Sequence, residues 1–431
     1  MKQSLRRGGL RRPALMAACV ALLCACEDKV VDEEAPIEPS PALPALGDGP
    51  GHWAKAQRGL IIDDDDLPIV NAGSVGVTGA DLAERFGLLV IARPYVDSLN
   101  TRCTSPSLAA EAQPRRAAER VIAELKADDP ALSWDRVAVN VDLLSPDRSA
   151  VLDVCFEQGG DSDDPRFDNL EHRAAIVAAF EDLAGLPDLA YVTVGLDMNQ
   201  YFHLRLDDTV RHDDYTNFVT LYREVYRAIK AVNAEVQVGP GISWSVLRTL
   251  TAPEVAAAQD LDPDGLDALL AASRLTVQPL LTDGRGGAKT ADFLAISMIP
   301  AHTQAPWNGS PGTDDASRGP LLEWLRPLSL VSGELPVVVP VMDWAEVGAG
   351  GKKGQYLITL KAALSNVNVA WAAWRRLSDV PIEPASNPPC AKYTARPAPL
   401  NYPTAYCTSG MFNASGDPNQ RGVYAELTTD P

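Results

Sequence analysis

The chain has 431 residues, of which 46% are hydrophobic and 22% are charged, and its formal net charge is −19. This composition is ordinary for a globular protein with a sizeable core, and the length fits either several domains or one large barrel with insertions. The acidic balance and the lack of a basic patch interleaved with aromatic residues argue against nucleic-acid binding.

The first 25 residues have the three parts of a secretory signal peptide. Arginines from Arg6 to Arg12 precede an apolar stretch, 13–25, that is too short to span a bilayer. The stretch leads into Leu23-Cys24-Ala25-Cys26, which resembles a bacterial lipobox. The resemblance implies cleavage before Cys26, lipidation of that cysteine and a protein exported to the cell envelope and held at a membrane. The alternative is an ordinary signal peptide with a chance cysteine.

Four cysteines remain after Cys26, and an exported protein is expected to join them in two disulfides. They are Cys103, Cys155, Cys390 and Cys407. Four cysteines allow three pairings, and the short separation favours Cys390 with Cys407, which leaves Cys103 with Cys155. No Cys/His spacing typical of a zinc site occurs and the five histidines are scattered, so that neither a metal nor another cofactor is predicted.

The domain organisation follows from composition. Residues 26–50 are acidic and proline-rich, which predicts an extended tether in front of a single folded domain, residues 51–431. The folded part of this domain is expected to start near Leu67. Apolar runs predict eight strands, at 88–95, 137–142, 150–156, 190–196, 236–239, 292–298, 335–342 and 367–374. The segment 150–156 is either a strand or one arm of a hairpin, because too little chain precedes it for a crossover helix.

Amphipathic segments between most of these strands predict helices, at 114–126, 167–186, 215–233, 264–273, 321–325 and 354–365. Eight strands that mostly alternate with helices indicate a TIM-type (β/α)8 barrel, irregular around strands 2–3 and followed by a loop-rich C-terminal tail. A doubly wound open sheet is the competing fold. Such a sheet usually has a glycine-rich phosphate turn after its first strand, whereas this chain has Arg93-Pro94-Tyr95 there.

Polar and aromatic side chains follow the predicted strands where each strand ends. In a barrel these ends converge on one mouth, and carboxylates, amides and tryptophans together suit a carbohydrate ligand. The candidates are Arg93, Tyr95, Asp142, Asp197, Asn199, Tyr201, His203, Trp244, Ser297, Asp343, Trp344 and Trp374. Asp197 and Asp343 are the candidate catalytic residues, and the others are candidates for substrate binding. Each one alone also has a structural explanation, such as capping or packing.

The run 194–199, the helix that ends at Asn233 and the strand 236–239 together resemble retaining glycoside hydrolases of the large clan with (β/α)8 barrels, most nearly the endo-β-1,4-galactanases. The resemblance covers residues 88–381. Those enzymes carry Gly-Asn-Glu after the fourth strand, and the glutamate is the general acid/base. Here Leu196 stands in the place of the asparagine and Asp197 in the place of the glutamate. The nucleophilic glutamate would fall near Val341, and Asp343 is one of the nearest acids.

Three hypotheses follow from this resemblance and its departures. In the first, Asp197 is the general acid and Asp343 is the base that activates a water molecule, as in an inverting glycosidase. In the second, the barrel is catalytically inactive and binds a glycan through its aromatic and amide side chains. In the third, the chain is a surface-anchored structural or adaptor protein without a sugar ligand.

Overall fold

The structure is a computed structural model of the chain. It describes residues 57–62, 83–84, 86–92, 113–127, 133–144, 151, 166–203, 209–263, 265–283, 287–298, 324–342, 357, 360–361, 364 and 367–374. These residues belong to one compact unit. The predicted signal peptide and tether lie outside them, so that the predicted domain boundaries stay a prediction.

Eight parallel strands form a closed barrel in chain order. They are β1 Gln57–Ile62, β2 Leu88–Ala92, β3 Arg136–Val141, β4 Leu189–Val194, β5 Gln237–Ser243, β6 Leu294–Ser297, β7 Val337–Met342 and β8 Val369–Trp374. β1 pairs with β2 on one side and with β8 on the other, and this second pairing closes the sheet. The predicted (β/α)8 barrel is confirmed, while the predicted C-terminal tail lies outside the described residues.

Helices surround the barrel. Those with described bounds are α1 Pro114–Lys126, α2 Leu170–Leu183, α3 Met198–His203, α4 Thr209–Val232, α5 Trp244–Val246, α6 Ala252–Gln259, α7 Leu266–Thr276, α8 Gln278–Leu281 and α9 Leu328–Ser332. α1 begins at a proline, which fits the first helical position because the N–H there has no helical partner. A π turn, Leu247–Thr251, joins α5 to α6 just before Pro253, which cannot donate to an α-helical ladder.

The core has two layers because successive side chains of a strand point to opposite faces. One face of the strands packs against the helices and forms the larger apolar cluster. The other face fills the barrel with a smaller cluster of ten buried residues: Ile61, Leu88, Val90, Ala138, Tyr191, Phe293, Ala295, Val338, Trp371 and Ala373. The ring centroids of Tyr191 lie 6.1 Å from Phe293 and 5.8 Å from Trp371, so that aromatic rings fill part of the barrel interior.

The expectation that the folded part starts near Leu67 is wrong, because β1 already starts at Gln57. Only three apolar residues, 60–62, stand in a row in this strand, and they are followed by an acidic run. Such a short run carries little signal by itself. β1 owes its place to its pairing with β8, which comes from the opposite end of the barrel sequence.

The predicted strand at 150–156 is not one of the barrel strands. Val151 is the one described residue of that segment, and it forms an isolated antiparallel bridge with Leu144. This pairing matches the hairpin alternative for Val151. The barrel therefore keeps eight strands, but β1 takes the place that the sequence assigned to 150–156.

Two glycines of β5 make room for other groups inside the barrel, and this predicts the effect of a mutation. A Cβ atom on Gly241 would lie 2.1 Å from the carbonyl oxygen of Gly195. Because a backbone atom cannot move aside cheaply, we expect Gly241→Ala to lower the free energy of unfolding by about 1–3 kcal/mol. Urea denaturation followed by circular dichroism measures this loss.

Gly185→Ala is the matched control for this substitution. A Cβ atom at Gly185 would first meet the end of the Arg115 side chain, at 3.0 Å, and a flexible side chain can move away. Equal losses of stability in the two variants would contradict the importance of the Gly195–Gly241 contact.

Candidate functional site

The carboxyl ends of the strands bring five of the predicted site residues to one end of the barrel. Asp142 follows β3, Asp197 comes after β4, Trp244 follows β5, and Ser297 and Trp374 are the last residues of β6 and β8. All five are buried, with at most 4% of their surface exposed. In a parallel barrel this end is where ligand-binding residues lie.

The turn after β4 fixes the backbone around Asp197. Gly195 has a φ of +72°, and a Cβ atom there would come within 2.5 Å of Met198, so that only glycine fits this position without strain. Asp197 itself has a φ of +55°, a left-handed conformation that aspartate tolerates better than most residues. Its carbonyl oxygen accepts a hydrogen bond from the N–H of Gln200 at 2.8 Å, which starts α3.

Asn199 joins this turn to the neighbouring strand. Its Nδ2 donates to the carbonyl oxygen of Ser243 at 2.8 Å, and its Oδ1 accepts from the N–H of Ser243 at 2.7 Å. Both bonds are buried, and they use the donor and acceptor at the carboxyl end of β5. The structure thus gives Asn199 a structural role, and its predicted contact with substrate stays a prediction.

Tyr201 also binds protein groups. Its hydroxyl donates to Oδ2 of Asp214 at 2.9 Å, and the other oxygen of this carboxylate accepts from the N–H of Phe167 at 2.9 Å. Burial raises the pKa of Asp214, and the two hydrogen bonds oppose that rise only in part. The Tyr201 ring packs edge-on against Phe167, with the centroids 6.0 Å apart. This junction ties α3 to α4 and to the segment before α2.

The aromatic candidates in the described residues do not offer exposed ring faces. The indole N–H of Trp244 donates to the carbonyl oxygen of Trp324 at 3.1 Å, and the two indole rings pack edge to face. Trp374 is completely buried in the cluster between strands and helices. A sugar that stacks on an aromatic face needs that face to be accessible, so these rings are better explained as packing in this conformation.

Several predicted site residues lie outside the described residues, and the structure says nothing about them. They are Arg93, Tyr95, Asp343, Trp344, Cys26, Cys103, Cys155, Cys390 and Cys407. His203 is the last residue of α3, but its side chain is not described. Their roles stay predictions. Among the residues that are described, no group of three His, Cys, Asp or Glu side chains could hold a metal ion.

Beneath the mouth lie three neutral polar side chains that we call the polar floor: Asn140 on β3, Thr193 on β4 and Ser297 on β6. Each stands two residues after a member of the interior cluster, Ala138, Tyr191 and Ala295, and therefore faces the barrel interior. Each occupies the last inward-facing position of its strand. All three have at most 2% of their surface exposed.

The polar floor has no hydrogen-bond partners within the described part of the protein. This holds for both amide atoms of Asn140 and for the hydroxyls of Thr193 and Ser297. An unpaired buried polar group costs about 1–3 kcal/mol. Sequence reasoning passed over Asn140 and Thr193, although a polar residue that interrupts an apolar strand one residue before its end is a signal for an inward-facing polar position.

No protein-family model matches the sequence, and no curated protein matches it. An exo-β-1,4-mannosidase from Opitutaceae bacterium strain TAV5 is similar with a TM-score of 0.52 and 12% identity, over 85% of this chain and 57% of that chain. GH5_18 from Streptomyces cattleya in complex with GlcNAc has a TM-score of 0.50 and 14% identity, over 84% of this chain and 77% of that one.

The chain shares its (β/α)8 barrel fold with these two structures. It spans little more than half the length of the mannosidase structure, 57%. At such low identity the likeness concerns the fold, and activity has to be argued from the site itself. In the described parts of the chain, no helix has the length and apolar character needed to cross a membrane.

The Asn199–Ser243 contact predicts a large loss of stability on mutation. We expect Asn199→Ala to lower the free energy of unfolding by about 2–4 kcal/mol, because it leaves a buried N–H and a buried carbonyl unpaired. Urea denaturation measures the effect. Asn233→Ala is the control, since Oδ1 of Asn233 also accepts a backbone N–H, that of Glu235 at 3.1 Å, but at an exposed site. A loss no larger than that of the control would contradict the role of Asn199.

Proposed function

We propose that this chain is a glycoside hydrolase-like protein that acts on a polysaccharide at the mouth of the barrel, with Asp197 as the general acid. The observation that carries the proposal is the placement of Asp197. It is a buried carboxyl group three residues beyond β4, on a turn that Gly195 and Asn199 hold in one conformation. This is the position at which the resemblance to the large clan of barrel glycosidases has its acid/base residue.

A second carboxylate is needed for hydrolysis, and Asp343 is the candidate. It follows β7 directly in the sequence, and β7 is separated from β4 by β5 and β6 around the barrel. Acids after these two strands would approach a glycosidic bond from different sides. In an inverting enzyme the carboxyl groups lie roughly 6.5–9.5 Å apart, with a water molecule between the base and the sugar. Asp197 would then protonate the leaving oxygen while Asp343 activates that water.

A second candidate function is glycan binding, or a structural or adaptor role, without hydrolysis. β7 contains no carboxylate: it ends in Val341 and Met342, where the resemblance would require the nucleophilic glutamate. The retaining mechanism therefore has no nucleophile within this strand. The burial of Tyr201 and Trp244 also removes two of the aromatic surfaces on which hydrolases of this kind hold a sugar chain.

The substrate branch and the location of the protein belong to the same proposal. The sequence resemblance supports a β-1,4-linked galactan as substrate, whereas one similar structure is that of an exo-β-1,4-mannosidase. A β-1,4-linked hexose chain is the chemistry common to both. We also propose that the protein is exported and lipid-anchored through Cys26, because the segment 23–26 resembles a lipobox and an acidic, proline-rich tether follows it.

The decisive test of catalysis compares Asp197→Asn and Asp343→Asn with the wild-type chain on β-1,4-galactan, β-1,4-mannan and other β-glycans. We expect reducing ends to be released by the wild type and kcat to fall by about 10²–10⁴-fold in each variant, since each removes a proton-transfer group. Release of reducing ends and binding are measured in parallel.

Asp188→Asn is the matched control for Asp197→Asn. Asp188 is also an aspartate with a positive φ, +60°, but it is exposed and lies just before β4. Unchanged hydrolysis by Asp197→Asn would disprove its role as the acid. Binding of a glycan without hydrolysis by the wild type would favour the binding function, and no binding to any glycan would favour the adaptor role.

Lipid anchoring has its own test. In a bacterial host supplied with labelled palmitate, the wild-type chain should take up label and partition into the detergent phase. Cys26→Ser should abolish both results, because the acyl chains have no other predicted attachment point. Cys24→Ser, two residues earlier, should still be labelled. Label that persists in Cys26→Ser would refute the anchor.

A further inference from the structure

The polar floor is the strongest feature of the described structure that the proposed catalysis leaves unused. Its three side chains come from β3, β4 and β6, and Asn140 and Thr193 are paired neighbours in the sheet. The methyl group of Thr193 lies 3.1 Å from the place where a Cβ atom on Gly241 would be, which confirms that this side chain points into the barrel. Four polar atoms of these inward-facing side chains are therefore buried without a hydrogen-bond partner among the residues that the structure describes.

The hydrogen-bond donors and acceptors of the polar floor determine which kind of ligand can bind there. The Asn140 amide offers two N–H donors and a carbonyl acceptor, and the two hydroxyls can each donate and accept. An anion could not donate to the amide oxygen, and a metal cation could not accept from the amide nitrogen. A hydroxyl group both donates and accepts, and so it matches every atom of the polar floor. Water and the hydroxyls of a neutral sugar share this chemistry.

The rest of the barrel interior has a different character. β1, β2 and β8 contribute the apolar side chains of Ile61, Val90 and Ala373 to the barrel interior. An interior that presents both polar and apolar side chains suits a sugar ring, which has hydroxyl edges and C–H faces. A phosphate or carboxylate group would find no such match, because the polar floor carries no cation.

The interior is closed at greater depth. Tyr191, Phe293 and Trp371 fill it with aromatic rings, and Arg136 donates to the Tyr191 hydroxyl at 3.2 Å. A ligand that reaches the polar floor must enter from the mouth and cannot pass through. Only the end of a sugar chain could therefore reach the polar floor, because an internal unit of a polymer would have to continue past it.

We propose that the polar floor is a subsite for the terminal unit of a neutral glycan, whose hydroxyls hydrogen-bond to Asn140, Thr193 and Ser297 directly or through a water molecule. The proposal rests on the proposed glycan function and makes it specific. The ligand is uncharged, and the polar floor binds the terminal unit of its sugar chain.

The test uses Thr193→Val, Ser297→Ala and Asn140→Leu in the full chain. The first keeps the shape of the side chain and removes only its hydroxyl, so the test does not depend on the folding of the Asn140 variant. The probes are mannose, galactose, glucose and N-acetylglucosamine, with glucuronic acid as the anionic comparison. Isothermal titration calorimetry gives the affinity, and thermal unfolding of the free protein gives the Tm.

Thr251→Val is the matched control. Thr251 is a fully buried threonine whose hydroxyl also has no partner in the described structure, but it lies in the π turn outside the barrel. We expect the wild type to bind at least one neutral sugar more tightly than glucuronic acid. Each polar-floor variant should weaken that binding by about tenfold or more, while the control and the Tm of the free proteins change little.

Three results would overturn the proposal. Unchanged sugar affinity in the polar-floor variants, with a lowered Tm of the free protein, would show that the polar floor holds structural water only. Equal or tighter binding of glucuronic acid would refute a neutral ligand. If the wild type binds none of the probes, the subsite does not exist. Hydrolysis of a polysaccharide that depends on Asp197 would still support the proposed function in each of these cases.

Discussion

The pairing of β1 with β8 is the interaction on which the rest of the structure depends. It turns an eight-strand sheet into a closed barrel, and closure removes both open edges. Only in a closed barrel do the carboxyl ends of all eight strands surround one mouth. In an open sheet, the residues that follow β3, β4, β5 and β8 would lie in a row and would not surround one mouth. Asp197 therefore owes its place beside the other strand ends to a strand far away in the sequence.

Within this frame, two small residues and one amide determine the geometry after β4. Gly241 leaves room for the carbonyl of Gly195 inside the barrel, and Gly195 takes a left-handed conformation that redirects the chain. Asn199 then binds both backbone groups of Ser243. These contacts are structural, yet together they orient Asp197, the acid in the turn directly after β4. Supporting contacts of this kind hold the side chains of a site in a defined geometry.

The same mouth combines features that favour different functions. A buried acid after β4 favours catalysis, whereas the apolar end of β7 and the buried indole of Trp244 favour binding alone. The polar floor is compatible with both, because it would hold a chain end whether or not the bond next to it is cut. The likeness to known glycosidase structures supports the fold, and the choice between the two functions depends on side chains at the mouth.

The sequence by itself determined the elements whose signal is local. Continuous apolar runs predicted seven of the eight barrel strands, and the amphipathic segment 114–126 predicted α1 to the residue. It also placed Asp142, Asp197 and Trp374 at strand ends, because the end of an apolar run is readable from composition alone. The sequence could not predict elements that depend on contacts between residues far apart in the chain. β1 has only three apolar residues in a row and exists through its pairing with β8.

The partners of polar side chains were decided by the tertiary structure alone. Asn199 and Tyr201 read as ligand-binding residues in the sequence, but a strand and a helix that pack against them supply their hydrogen-bond partners. The opposite holds for Asn140, which looks like an ordinary strand residue in the sequence and has no hydrogen-bond partner among the residues that the structure describes. The physical reason is that a hydrogen bond depends on which groups meet in space, whereas the sequence of one segment records only its own preferences.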